Sequence, residues 1–172
     1  MARKMAQYFI LGALVFFFVG IAEGLMFPSS FKLRSFYARI WGVSPEHLKP
    51  FFDHFLIKIH THITLVGWVS SALMGILYFM APQISGVERY SRWAAYGNFG
   101  LHFAGLVLMT VGFRLLGVAG LSAGYAYGAP GFRGVAEPLK WYVILGGTAI
   151  AVSGLLFAFN MVRTLCVRSE VK

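Results

Sequence analysis

The chain has 172 residues, 58% of them hydrophobic and 17% aromatic, with only 12% charged and a formal net charge of +9. A soluble domain has roughly a quarter of its residues charged, so this much apolar surface exceeds what so short a chain can bury and must face lipid. The Lys and Arg stand in short segments between apolar runs, where they read as topology signals and headgroup contacts; no nucleic-acid partner is expected.

Four apolar runs are long enough to cross a bilayer, which needs about 20 residues each. They fall at 7–27, 55–80, 93–116 and 139–163. The first follows Arg3 and Lys4 but is too long for a signal peptide. It ends in Glu23-Gly24-Leu25-Met26-Phe27-Pro28, which offers no small-residue cleavage site, so a retained helix is expected. Pro28, Pro82 and Pro138 punctuate the helix boundaries. Nothing divides the chain, and the expected fold is all-α: one integral membrane four-helix bundle over 1–172.

Basic residues set the orientation. The N-terminus, the 81–92 loop and the C-terminal tail carry Arg3, Lys4, Arg89, Arg92, Arg163, Arg168 and Lys172, whereas the longer 28–54 and 117–138 loops are sparser in charge. The positive-inside rule then puts both termini in the cytoplasm, and the expected location is the inner (cytoplasmic) membrane. On that topology the second helix starts at the outer face, with His60 and His62 about two turns in and Trp41 and Trp141 near the same boundary.

Ionisable residues at membrane depth are costly and are functional candidates by default. Two positions apart on a helix is about 200° around its axis, so His60 and His62 point to nearly opposite faces and cannot serve one metal together. Such a helix stands between two sites and offers one imidazole to each. Zinc and copper need three or four convergent ligands, whereas haem iron needs one or two axial ligands. The single cysteine, Cys166, leaves no Cys-x-x-Cys-His for covalent attachment, so a haem would be held by coordination alone. Along the stripe from His60, Gly67 and Ser71 leave space for a flat macrocycle, followed by Met74 and Tyr78. Along the stripe from His62, Val66, Val69 and Leu73 form an apolar wall. The competing explanation is plain helix packing, with hydrogen-bonded histidines and small residues at the contact.

The stretch from His60-Thr61-His62 through Gly75 to Pro82 resembles the tenth helix of the large catalytic subunit of haem-copper oxygen reductases. Leu116-Gly117-Val118-Ala119-Gly120-Leu121 is similar to the end of that family's eleventh helix. Gly146-Gly147 and Leu155-Leu156-Phe157-Ala158-Phe159-Asn160 are similar to its twelfth. The resemblance implies that His60 ligates one haem iron and His62 another, with haem b as cofactor. It also implies that Asp53 lies above the haems. The chain would then be one quasi-repeat of that subunit, equivalent to its last four helices. Three copies would rebuild the family's ring as a homotrimer, with haem between His60 of one chain and His62 of the next.

The departures bear on activity. Nothing matches the family's His-Pro-x-x-Tyr copper and tyrosine stretch, and its arginine pair near the haem propionates aligns with Ala123 and Gly124. Lys58, Arg114 and Arg133 are the candidate replacements. The expected function is therefore low-spin electron transfer, between quinol and a periplasmic carrier, rather than oxygen reduction. The rivals are a small oxygen or nitric oxide reductase with an open haem site, a haem or gas sensor, and a structural subunit with no cofactor. His102 reads as a packing histidine with a weaker claim to haem. Glu23 is interfacial, or contacts a propionate or relays protons. Asp53 doubles as a helix N-cap, and His54 lies beside it. His47 is expected to be exposed, and Tyr125 and Tyr127 belong to a structured outer loop.

Overall fold

A computed structural model describes residues 1–25, 35–36, 38–40, 42, 44, 48, 52–124 and 129–166; for Phe52 and Asp53 it describes the backbone alone. Pro28, Trp41, His47, Tyr125, Tyr127, Arg168 and Lys172 lie outside the described residues. Four helices are long and apolar enough to cross a membrane: α1 (Ala2–Gly24), α2 (His54–Ser85), α3 (Arg92–Ser122) and α4 (Lys140–Leu165). A short helix, Pro130–Ala136, precedes α4. The protein is an all-α, multi-pass membrane bundle.

The helices outrun the apolar segments that announce them. α3 has 31 residues, roughly 46 Å at 1.5 Å per residue, against a hydrocarbon core of about 30 Å. Hydropathy marks the part of a helix that meets lipid, and backbone hydrogen bonding carries the helix beyond it. Pro82 is likewise passed and not a terminus: α2 continues to Ser85 and stops where Gly86 turns left-handed at φ 72°. Proline has no N–H, so it leaves the carbonyl four residues earlier unpaired. That carbonyl belongs to Tyr78, and the Tyr90 hydroxyl donates to it at 2.8 Å. The helix survives because another segment supplies the missing donor.

α2 is not uniformly α-helical. Phe52–Leu56 and His62–Ser70 are wound as π-helix, separated by the α-helical turn Ile57–Thr61. π-winding is rare and concentrates at functional positions. Here side chains back-bond to its carbonyls: the Ser70 hydroxyl donates to Leu65 C=O at 2.7 Å, and the Ser71 hydroxyl to Val66 C=O at 3.4 Å.

Packing between the helices relies on close approach, as expected where lipid removes the hydrophobic drive for association. A Cβ on Gly146 would lie 2.6 Å from the Gly105 carbonyl oxygen, and one on Gly105 would lie 2.7 Å from the Gly146 oxygen. The two glycines therefore bring the α3 and α4 backbones together. Two apolar clusters cap this bundle. One joins Met5, Phe9, Tyr78, Ala81, Ala95 and Met161 at the basic side; the other joins Ala38, Leu48, Phe55, Leu56 and Phe132 at the opposite end. In the second, the Phe132 ring of the short helix sits 6.1 Å from the Phe55 ring, folding the segment before α4 over the start of α2.

Candidate functional site

The site assembles where neighbouring pairs of residues on three helices meet. α1 contributes Glu23 and Gly24, α2 contributes Lys58, His60 and His62, and α3 contributes Phe113 and Arg114. The His60 imidazole lies on Gly24: a Cβ there would fall 3.1 Å from His60 Cε1. Only a glycine lets α1 approach that ring without displacing it. The His62 ring instead faces α3, with its centroid 5.4 Å from that of Phe113. The two imidazoles, both half-buried, thus lie against different helices.

His62 Nδ1 is 2.7 Å from the Lys58 carbonyl oxygen. A carbonyl only accepts, so Nδ1 carries a proton and donates, and in the neutral ring Nε2 then keeps its lone pair. That is the tautomer a metal-ligating histidine needs, with the ring fixed by the bond its other nitrogen makes. Lys58 also holds its ammonium 6.0 Å from the Phe113 ring, on whose neighbourhood His62 packs as well.

Sequence reasoning weighed Glu23 and Arg114 separately, and the structure brings them together. Glu23 is 4% exposed, and its Oε1 pairs with the Arg114 guanidinium. Its other oxygen, Oε2, is buried with no hydrogen-bond partner. A carboxylate buried at a membrane helix end needs a cation, and the fold delivers one from α3. Nothing in the spacing of residues 23 and 114 signals this pair; an Arg inside an otherwise apolar run was the available clue.

The remaining candidates fall elsewhere. Gly67 is buried, and a Cβ there would lie 2.7 Å from both Leu106 Cδ2 and Phe16 Cγ. Ser71 is fully buried, its Oγ 3.0 Å from His102 Nε2. The space that the sequence left beside these two residues is thus filled from within the chain, by Phe16, Leu106 and His102. The stripe from His60 turns into the bundle, whereas Val69 and Leu73 on the His62 stripe are 38% and 53% exposed. His102 is buried between α2 and α3. Its Nε2 donates to Val66 C=O at 3.1 Å and shares the proton with Ser71, while Nδ1 is buried with no hydrogen-bond partner.

The Asp53 side chain lies outside the described residues. Its backbone is already inside the π-turn Phe52–Leu56, so the helix starts earlier than an N-cap at that position requires. His54 and Arg133 are exposed. Ala123 and Gly124, which stand where the resemblance places an arginine pair, form the C-terminal cap of α3, with Gly124 at φ 71°. Among the described residues, no group of three or more His, Cys, Asp or Glu could hold a free metal ion.

The imidazoles fit an axial-ligand role to different degrees. His62 is in the ligating tautomer. His60 is seated in a glycine cradle that a single methyl group would crowd. The family model described as cytochrome c and quinol oxidase polypeptide I matches residues 53–149, a span that takes in both histidines, all of α3 and the first part of α4. No curated protein and no solved structure matches the chain. The match covers more than half of the sequence, and together with the four apolar helices it settles the relationship: the chain belongs to the cytochrome c and quinol oxidase polypeptide I family, the haem-copper oxidase subunit I family.

Proposed function

We propose that this protein is a b-type haem-binding membrane protein that transfers electrons, with His60 and His62 as axial ligands of haems held between copies of the chain in a homotrimer. The observation that carries the reading is the placement of the two imidazoles on one helix but against different neighbours. One helix so built serves two sites, and the family match over both histidines makes haem the fitting occupant.

A haem with histidine on both faces is low-spin and supplies one-electron transfer with no open coordination position. The chain's own residues do the rest. The Lys58 carbonyl fixes the His62 tautomer and leaves Nε2 to ligate. Gly24 sets how closely α1 approaches the His60 ring. Lys58, one turn from His62, and Arg114, paired with Glu23, are the cations on hand for a carboxylate of the cofactor. Gly67 and Ser71 support the bundle beneath the site, and His102 holds the π-helical carbonyl of Val66. The inner membrane is the expected location, with both termini cytoplasmic, quinol as donor and a periplasmic carrier as acceptor.

The visible spectrum of detergent-purified protein tests this reading. Sharp low-spin bands that carbon monoxide leaves unchanged are expected, and His60→Ala and His62→Ala should each abolish them. A variant that keeps a normal low-spin spectrum defeats the paired-ligand assignment. A large carbon monoxide shift in the wild type transfers the reading to a reductase or gas sensor. Absence of a Soret band after expression with ample haem favours a structural subunit. Native mass and the haem-to-protein ratio test the trimer, which a stable haem-loaded monomer overturns.

A further inference from the structure

The basic end of the molecule holds a cleft that the site above does not use. A cavity of about 320 Å³ opens between the first turns of α1 and α3, lined by Met1, Lys4, Arg92 and Tyr96. The Met1 ammonium is taken by Glu88, 2.8 Å away. Lys4 and Arg92 form no ion pair among the described residues; Lys4 has only the Tyr8 ring, 5.8 Å from its ammonium. Among the described residues, two cations therefore line one cleft with no ion pair of their own, the nearby Glu88 carboxylate being taken by Met1.

A second cavity, about 440 Å³, lies further along the same helix and is lined by Gln7, Tyr8, Ile10 and Leu11. Lys4, Gln7, Tyr8 and Leu11 are spaced i, i+3, i+4 and i+7, which is one face of α1. The face thus passes from charge, through an amide and a phenol, to hydrocarbon. Arg92 and Tyr96 repeat the step from charge to aromatic on α3, and the Tyr8 and Phe99 rings, 5.6 Å apart, bring the two helices together beside them.

We propose that this groove is a binding site for an anionic phospholipid, with the phosphodiester between Lys4 and Arg92 and an acyl chain along Tyr8, Ile10 and Leu11. A free phosphate would use the cations but not the apolar cavity beside them on α1, so the succession of charge and hydrocarbon along one helix face selects the lipid. Basic pockets between membrane helices at the headgroup level suit this ligand class.

The test reconstitutes the full-length protein in vesicles of mixed phosphatidylcholine and phosphatidylglycerol, extracts it gently, and measures retained lipid by mass spectrometry. Phosphatidylglycerol should be enriched over its share in the vesicles, and excess inorganic phosphate should not displace it. The Lys4→Gln/Arg92→Gln double variant should lose the enrichment by about tenfold or more, from the worth of two cations at an anionic headgroup. Arg3→Gln/Arg89→Gln removes exposed charge from the same side without lining the cleft, and should leave the enrichment intact. Leu11→Trp fills the apolar groove without touching charge and should also reduce it. Equal retention by wild type and the Lys4/Arg92 variant, equal loss in the Arg3/Arg89 control, or displacement by inorganic phosphate each overturns the proposal.

Discussion

The two halves of the bundle treat buried polar groups differently. At the basic half, Tyr78, Asn98, Ser153 and Asn160 are all fully buried and bonded to one another, and the buried atom left without a partner there is a neutral hydroxyl, Thr164 Oγ1, not a charge. The Tyr78 hydroxyl donates to Asn98 Oδ1 at 3.0 Å, Asn98 Nδ2 to Ser153 Oγ at 2.8 Å, and the Ser91 N–H to Asn160 Oδ1 at 2.9 Å. At the histidine half, the buried Glu23 has one oxygen paired and one without a partner, and α2 abandons regular α-winding. A closed network locks helices into one arrangement, whereas an unfilled one keeps a capacity for something further. The basic half is built for packing and the histidine half is the place to look for chemistry.

The comparison breaks most sharply at the ion pair. Arg114→Leu leaves the Glu23 carboxylate buried without a cation, and should cost about 3 kcal/mol, the low end for a buried pair because Arg114 is partly exposed. Glu23→Gln/Arg114→Leu should recover most of that loss. Thermal unfolding in detergent, followed by circular dichroism, measures both; an unchanged midpoint in the single variant would show that the pair does not hold α1 to α3.

Next in size is Gly146→Ala, whose methyl would fall 2.6 Å from both Gly105 O and Met109 N. Overpacking against backbone should cost about 1–3 kcal/mol by the same measurement, with Gly147→Ala as the control, since the nearest atom there is 4.0 Å away. Asn98→Leu then removes the hub of the basic-half network. Hydrogen bonds between membrane helices are worth about 1 kcal/mol, so a decrease of that order is expected, with the spectrum of the histidine half unaltered. A loss in Asn98→Leu of the haem proposed for the histidine half would erase the distinction between the two halves.

The smallest effect is at Glu88. Its carboxyl is held below the usual range, first by the hydrogen bond to the Met1 ammonium, although partial burial opposes this. A depressed carboxyl pKa contributes stability above its unfolded value, and that contribution disappears as pH falls through the folded value. Acid titration should therefore show a small stability loss below the normal Glu range, absent in Glu88→Gln. Tyr90 is shifted the other way, upward, chiefly by burial. Its hydroxyl stays protonated to donate to Tyr78 C=O at neutral pH.

Much of this was legible along the chain. Four apolar runs sufficed for four spanning helices, and the two-residue spacing of His60 and His62 sufficed to put their side chains on different faces, because both are local properties of a helix. The histidine neighbours were not legible. Gly67 and Ser71 read as open space because small residues look alike whether they face a cofactor or another helix. It took the positions of Phe16, Leu106 and His102 to show what fills that space here. Pro82 read as a terminus because the donor that rescues Tyr78 C=O comes from beyond the next turn.

Membrane insertion, helix number and the divergence of the two histidines were thus decided by the sequence itself, through hydropathy and helical pitch, which depend on residues close in the chain. Which helix each imidazole faces, the pairing of Glu23 with Arg114 across 91 positions, and the glycine contact between α3 and α4 were decided only by the tertiary structure. In lipid the apolar faces of a helix are nearly equivalent, so hydrophobicity does not choose its neighbours. Close backbone approach and the need to satisfy each buried charge and hydrogen bond make that choice, and both arise only once the helices meet.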